Sequence, residues 1–72
     1  MHAKKNVSIV IPTYNERENI EKLVPNIEKL LLNEDVKGEI IIIDDNSPDG
    51  TGKLAEALSK KYKNIRVIHR NK

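Results

Sequence analysis

Four consecutive isoleucines, Ile40–Ile43, run straight into two aspartates, Asp44 and Asp45. A β-branched run with no polar residue on either side of the pleat suits a strand covered on both faces, as in a parallel sheet. An antiparallel strand with one wet face would alternate instead. Parallel neighbours need crossover connections, so helices should flank the run. The sequence supplies them. Val7-Ser8-Ile9-Val10-Ile11 is an earlier strand-like run, ended by Pro12. Between the two runs, Ile20, Leu23, Val24, Ile27, Leu30 and Leu31 recur at helical spacing and form one apolar stripe. Asp45 to Gly52 is a turn rich in Asp, Ser, Pro and Gly. Beyond it Leu54, Leu58 and Tyr62 recur four apart with Ala55 beside them, which predicts a helix from about Thr51 to Tyr62. Ile65–His69 is a third, shorter strand.

The predicted order is β-α-β-α-β. Right-handed crossovers then give a parallel sheet in the order 3-2-1 with helices over its face, the βαβαβ half of a three-layer, Rossmann-like α/β domain. Thr13 or Asn15 is placed to cap the first helix, with Glu16 or Glu18 as the reciprocal partner. Pro25 should kink that helix near Leu23 and Val24, and Asn33 to Gly38 reads as its exit loop. In such a sheet the first strand lies at an edge although it is apolar, an invitation to self-association through residues 7–11. Residues 1–72 therefore read as one part of a larger domain.

Composition removes several classes of function. With 38% hydrophobic and 33% charged residues the chain is globular. Its longest apolar run, Ile40–Ile43, is far short of the ~20 residues of a membrane helix, and no secretory leader is expected at Met1–Asn6. Cysteine is absent, which excludes disulfides and thiolate metal sites. The net charge of +2 comes from terminal residues such as Lys4, Lys5, Arg70 and Lys72, and Tyr14 and Tyr62 are the only aromatic residues. That is no basic stripe with interleaved aromatics, so nucleic acid is not an expected partner. His2 and His69 lack ligand spacing, so no metal role is expected of them.

Open α/β sheets bind ligands outside the carboxyl ends of their strands. Here those ends carry Pro12–Glu16 and Asp44–Gly52. Neither holds a G-x-G-x-x-G or G-x-x-x-x-G-K-[ST] phosphate loop. A carboxylate at a strand end can accept the ring N–H and exocyclic NH₂ groups of guanine, or the N–H of uracil, and Asp45 is placed to do so. Asp44 and Asp45 together at the end of an all-Ile strand would be costly without partners. Ser47 and Asp49 are more simply read as caps of the next helix, Glu16 as a first-turn acid and Tyr14 as a surface aromatic. A calcium loop is a further alternative, since Asp45, Ser47, Asp49, Gly50 and Glu56 fall on positions 1, 3, 5, 6 and 12 of an EF-hand. The preceding strand, Pro48 within the loop and Gly52 at its apolar position oppose it.

Val7-Ser8-Ile9-Val10-Ile11-Pro12-Thr13-Tyr14-Asn15-Glu16, then Arg17-Glu18-Asn19-Ile20, and later Ile41-Ile42-Ile43-Asp44-Asp45-Asn46-Ser47-Pro48-Asp49-Gly50-Thr51, resemble the family 2 glycosyltransferases. The Glu16-Arg17-Glu18-Asn19 and Ser47–Thr51 details favour the dolichyl-phosphate mannosyltransferase branch. The resemblance implies a GT-A fold and a GDP-mannose donor, with Pro12, Tyr14 and Glu16 lining the nucleotide and Ile43 and Asp45 holding the guanine and ribose side. It also implies inverting transfer of mannose to dolichyl phosphate on the cytoplasmic side of a membrane, assisted by Mg²⁺ or Mn²⁺. The family's metal-binding Asp-x-Asp motif should follow a strand after the third, so the metal ligands, the catalytic residues, the acceptor site and any membrane-associating segment are expected outside residues 1–72. The alternative from another class is a stand-alone βαβαβ binding module without catalysis.

Overall fold

The computed structural model describes residues 5–34 and 36–71. His2, Lys4 and Lys72, invoked above for metal binding and charge, lie outside the described residues. The elements run β1 (Asn6–Thr13), α1 (Arg17–Asn33), β2 (Lys37–Asp44), α2 (Thr51–Lys61) and β3 (Ile65–His69). All three strands are parallel in the order β1-β2-β3, so the expected 3-2-1 arrangement is observed with β2 in the centre.

Both helices pack on one face of the sheet. Ile40 and Ile42 of β2, Ile20 and Val24 of α1, Ala55 of α2 and Ile65 of β3 form a single buried cluster. Register aligns Ile9, Ile40 and Ile65, then Ile11, Ile42 and Val67, then Thr13, Asp44 and His69 across this covered face. The alternate residues of the pleat occupy the other, open face. There Val10 pairs with Ile41 and Arg66, and Pro12 with Ile43 and Ile68. Ile40 and Ile42 are fully buried whereas Ile41 and Ile43 are half-buried. Coverage of both faces is thus not met within the described residues.

The extent of β1 and the width of the α1 stripe differ from expectation, while α1 continues through Pro25 as one helix. Pro12 does not end β1; it lies inside the strand. Lys5 and Thr13 both direct their carbonyls at β2, accepting from Lys37 and Asp45 N–H at 3.0 and 3.1 Å. Even-numbered residues therefore turn their amide side outward, and Pro12 withholds no donor from the ladder. α1 runs unbroken from residue 17 to 33 with Pro25 inside it. Pro25 follows fully buried Val24, so packing holds the helix through a position with no N–H to give. The stripe is also narrower than its periodicity suggests. Ile20 and Val24 are buried and Ile27 packs on the core, while Leu23 and Leu30 are 43% and 58% exposed.

Candidate functional site

The carboxyl ends of β1, β2 and β3 meet at one edge of the molecule, and Asp44 organises it. This last residue of β2 is buried. Its Oδ1 accepts the Ser47 N–H at 3.2 Å, which starts the acidic turn. Its Oδ2 lies 3.5 Å from Nδ1 of His69 on β3. The far nitrogen of the same ring, Nε2, lies 2.6 Å from Oε2 of Glu56 on α2. The hydrogen bond to Glu56 lifts the imidazole above its ordinary 6.5, with Asp44 adding to the rise and partial burial opposing it. Gly52 permits the arrangement, because a Cβ there would stand 2.5 Å from Asp44 Oδ2 and 3.2 Å from His69 Cε1.

The turn after Asp44 reaches across to the loop after β1. Asn15 N–H donates to Ser47 Oγ at 3.0 Å, Glu16 N–H to Thr51 Oγ1 at 3.2 Å, and Arg17 N–H to Asp49 Oδ2 at 3.3 Å. Asp49 Oδ1 meanwhile accepts the Thr51 N–H at 3.0 Å and the Thr51 hydroxyl. Donation from the Thr51 side chain, and further from backbone N–H groups, holds the Asp49 carboxyl below its ordinary 3.8 against a smaller effect of desolvation. Asn15 and Asn46 take left-handed backbone angles, φ 54° and 59°, a region Asn tolerates better than most residues.

This corrects the expected caps. The N-cap of α1 is Glu16, without a side-chain cap of its own. Thr13 instead donates its hydroxyl to the Ile43 carbonyl at 2.9 Å, tying β1 to β2. Ser47 caps neither end of α2; its hydroxyl serves the approach to α1. Asp49 does receive the first N–H of α2, but it bridges that helix to α1. The N-cap of α2 is Gly50, whose φ of 89° is left-handed. A single anion thus sits between two positive helix ends.

The residues expected to hold a nucleotide divide into two groups. Pro12 and Ile43 are register partners on the open face. Asp45 follows them at the end of β2, with its N–H bonded to the Thr13 carbonyl at 3.1 Å. Glu16 faces a groove of about 480 Å³ beside β1, lined also by Pro12, Thr13, Asn19 and Leu23. Its Oε2 accepts from Asn19 Nδ2 at 2.5 Å. Tyr14 stands 56% exposed at the loop tip between the groups.

Sequence reasoning missed Arg70, counted above only as a terminal charge. It binds Asp45 through two donors, Nε to Oδ1 at 2.6 Å and Nη2 to Oδ2 at 2.9 Å. The parallel register was the available signal: Asp44 aligned with His69 places the next residues, Asp45 and Arg70, side by side. Thr51 was read only as a motif residue and helix start, and Glu56 only as position 12 of the calcium-loop alternative.

The acidic turn does not form a metal centre. Asp45 faces Arg70, Asp49 faces Thr51 and Arg17, and Glu56 faces His69. No three of the described His, Asp or Glu residues converge on a point where an ion could sit. The calcium-loop alternative fails on the same geometry. Among the described residues no helix is long and apolar enough to cross a membrane.

Residues 8–72 match the model of glycosyl transferase family 2. The dolichol-phosphate mannosyltransferase of Pyrococcus furiosus is 48% identical over 66 residues, covering 92% of this chain and 18% of that protein. The polyprenol monophosphomannose synthase of Mycolicibacterium smegmatis is 40% identical over 63 residues, covering 86% of this chain and 22% of its own length. The chain therefore spans about a fifth of the relatives it matches.

Proposed function

Since the chain belongs to glycosyl transferase family 2, we propose that it forms the nucleotide-recognition part of an inverting mannosyltransferase that uses GDP-mannose and a polyprenyl phosphate such as dolichyl phosphate. The observation that carries the reading is the open-face arrangement of Pro12, Ile43 and Asp45 beside Arg70. Half-buried Ile43 and 40%-exposed Ile68 offer an apolar bed to the flat face of a base. Asp45 stands at its rim. The Arg70 fork orients the carboxylate, and a carboxylate accepts paired donors of the kind that guanine presents at N1–H and N2–H₂. Tyr14 and Glu16 supply the loop that closes over the ribose.

The diphosphate does not belong at the start of α1, where many doubly wound folds place it. The N–H groups of Asn15, Glu16 and Arg17 are already taken by Ser47, Thr51 and Asp49, and the Asp49 carboxylate would repel it. Leaving-group charge must be met by residues beyond this set, where Mg²⁺ or Mn²⁺ is the expected aid. In the transfer itself a phosphate oxygen of the acceptor forms a bond to the anomeric carbon while that carbon's bond to the GDP oxygen breaks. The attacking oxygen is already anionic, so the step asks for no strong base.

Titration calorimetry with GDP and UDP, on the chain and on Asp45→Ala, tests the reading. GDP affinity lost in the variant supports it; affinity for neither nucleotide, or affinity indifferent to the substitution, overturns it. A second reading, self-association through β1, draws on the 39% and 54% exposure of Val7 and Val10 on that edge strand. A sedimentation profile of a monomer at every concentration would dismiss it.

A further inference from the structure

The Thr51 hydroxyl is fully buried and used twice, accepting from Glu16 N–H and donating to Asp49. Helix starts are ordinarily capped from their own turn. Candidates for that task exist here, yet Thr13 is committed to β2 and the N-cap Glu16 makes no side-chain cap. The three N–H groups leading into α1 are instead served by Ser47, Thr51 and Asp49, residues 32 to 35 positions away. A local N-cap side chain would serve the N–H groups of Glu18 or Asn19, not those of residues 15–17. Capping from the other loop does something a local cap cannot: it fixes the loop carrying Tyr14 and Glu16 relative to the one carrying Asp45.

We propose that Thr51 and Asp49 are positioning residues for nucleotide binding, locking the two loops at their working separation before the ligand arrives. The inference rests on the nucleotide reading above. Neither side chain is assigned a contact with the ligand; both act through the backbone of residues 15–17. The advantage is preorganisation, because loops already ordered lose less freedom when the ligand binds.

The chemistry of the pair makes the test selective. Thr51→Val removes the hydroxyl at nearly constant shape and leaves the Glu16 N–H without its partner, whereas Thr51→Ser keeps the hydroxyl. Asp49→Asn leaves one acceptor oxygen, which can serve Thr51 or Arg17 but not both. GDP affinity by calorimetry is measured for each variant, together with amide exchange at Asn15, Glu16 and Arg17 by NMR. Thr51→Val and Asp49→Asn should each weaken GDP binding about tenfold and speed that exchange, with helical circular dichroism unchanged. Thr51→Ser should bind within about twofold of the parent, since it retains the hydrogen bond. If Thr51→Val fails to fold, exposed Asp49→Asn carries the comparison. Parent-like GDP affinity in Asp49→Asn, or a Thr51→Ser variant as weak as Thr51→Val, overturns the proposal while leaving nucleotide binding intact. A parent chain that binds neither GDP nor UDP removes the nucleotide reading, and this inference with it, before any variant is compared.

Discussion

Arg70 grips Asp45 at two points, 2.6 and 2.9 Å, with 55% of the arginine side chain exposed and 19% of the aspartate. A fork of this kind fixes the orientation of a carboxylate, but in contact with water it adds little to stability. Asp45→Ala should therefore leave the unfolding temperature nearly unchanged while abolishing GDP affinity. Arg70→Gln should weaken GDP binding less than Asp45→Ala does, because the acceptor remains and only its aim is lost. Tighter binding by Arg70→Gln would mean instead that the arginine competes with the base.

The two faces of β2 give a second prediction. Ile42 is fully buried between sheet and helices, whereas Ile41 is half-buried on the open face. Ile42→Ala should cost about 2–5 kcal/mol, the range for a buried aliphatic truncation. Ile41→Ala should cost clearly less. Urea unfolding of both variants checks the order, and equal losses would mean that the open face is covered in solution.

That pair also shows how far the sequence could be read. The run Ile40–Ile43 announced a parallel strand and hence the βαβαβ order, because hydrophobic patterning and crossover geometry are local or nearly so. It concealed which isoleucines meet the helices, since four identical residues carry no alternation. The caps were misread for a related reason. Ser47 and Asp49 precede α2 in the chain, so spacing assigned them there, yet their acceptors also reach N–H groups at the start of α1. Such a link depends on how two loops lie in space, and no spacing rule contains it. Asp44 and Asp45 were legible as an acidic pair that needs partners at the end of an apolar strand. Their partners, Arg70 and His69, needed the register.

His69 gives the chain a pH dependence of defined sign. Its folded-state pKa lies above the ordinary 6.5, held there first by Glu56 and then by Asp44. The folded state thus binds the proton more tightly than the unfolded state. The associated stability is fully present below about pH 6.5 and is lost as pH rises through the higher folded value. Thermal unfolding of the parent and of His69→Gln is measured at about pH 5.5 and again at about pH 8.5, on either side of the range in which histidine changes charge. The gap between the two proteins should be larger on the acidic side. An identical gap at both ends would remove the imidazolium from the account.

Gly52→Ala sets two effects of comparable size against each other. Alanine favours a helix over glycine by about 1 kcal/mol, and Gly52 lies in the first turn of α2. The new methyl would stand 2.5 Å from Asp44 Oδ2 and 3.2 Å from His69 Cε1. Overpacking of a fixed site costs about 1–3 kcal/mol. The Asp44 carboxylate is not the loose end of a long side chain; it is buried and its other oxygen holds the Ser47 N–H. The clash should prevail, and the variant should unfold at lower urea than the parent. Displacing Asp44 from His69 should also move the imidazole pKa back toward its ordinary value, which an NMR titration of the ring reads independently of stability. Greater stability together with an unmoved titration would show that the Asp44–His69 approach is looser than its 3.5 Å separation indicates.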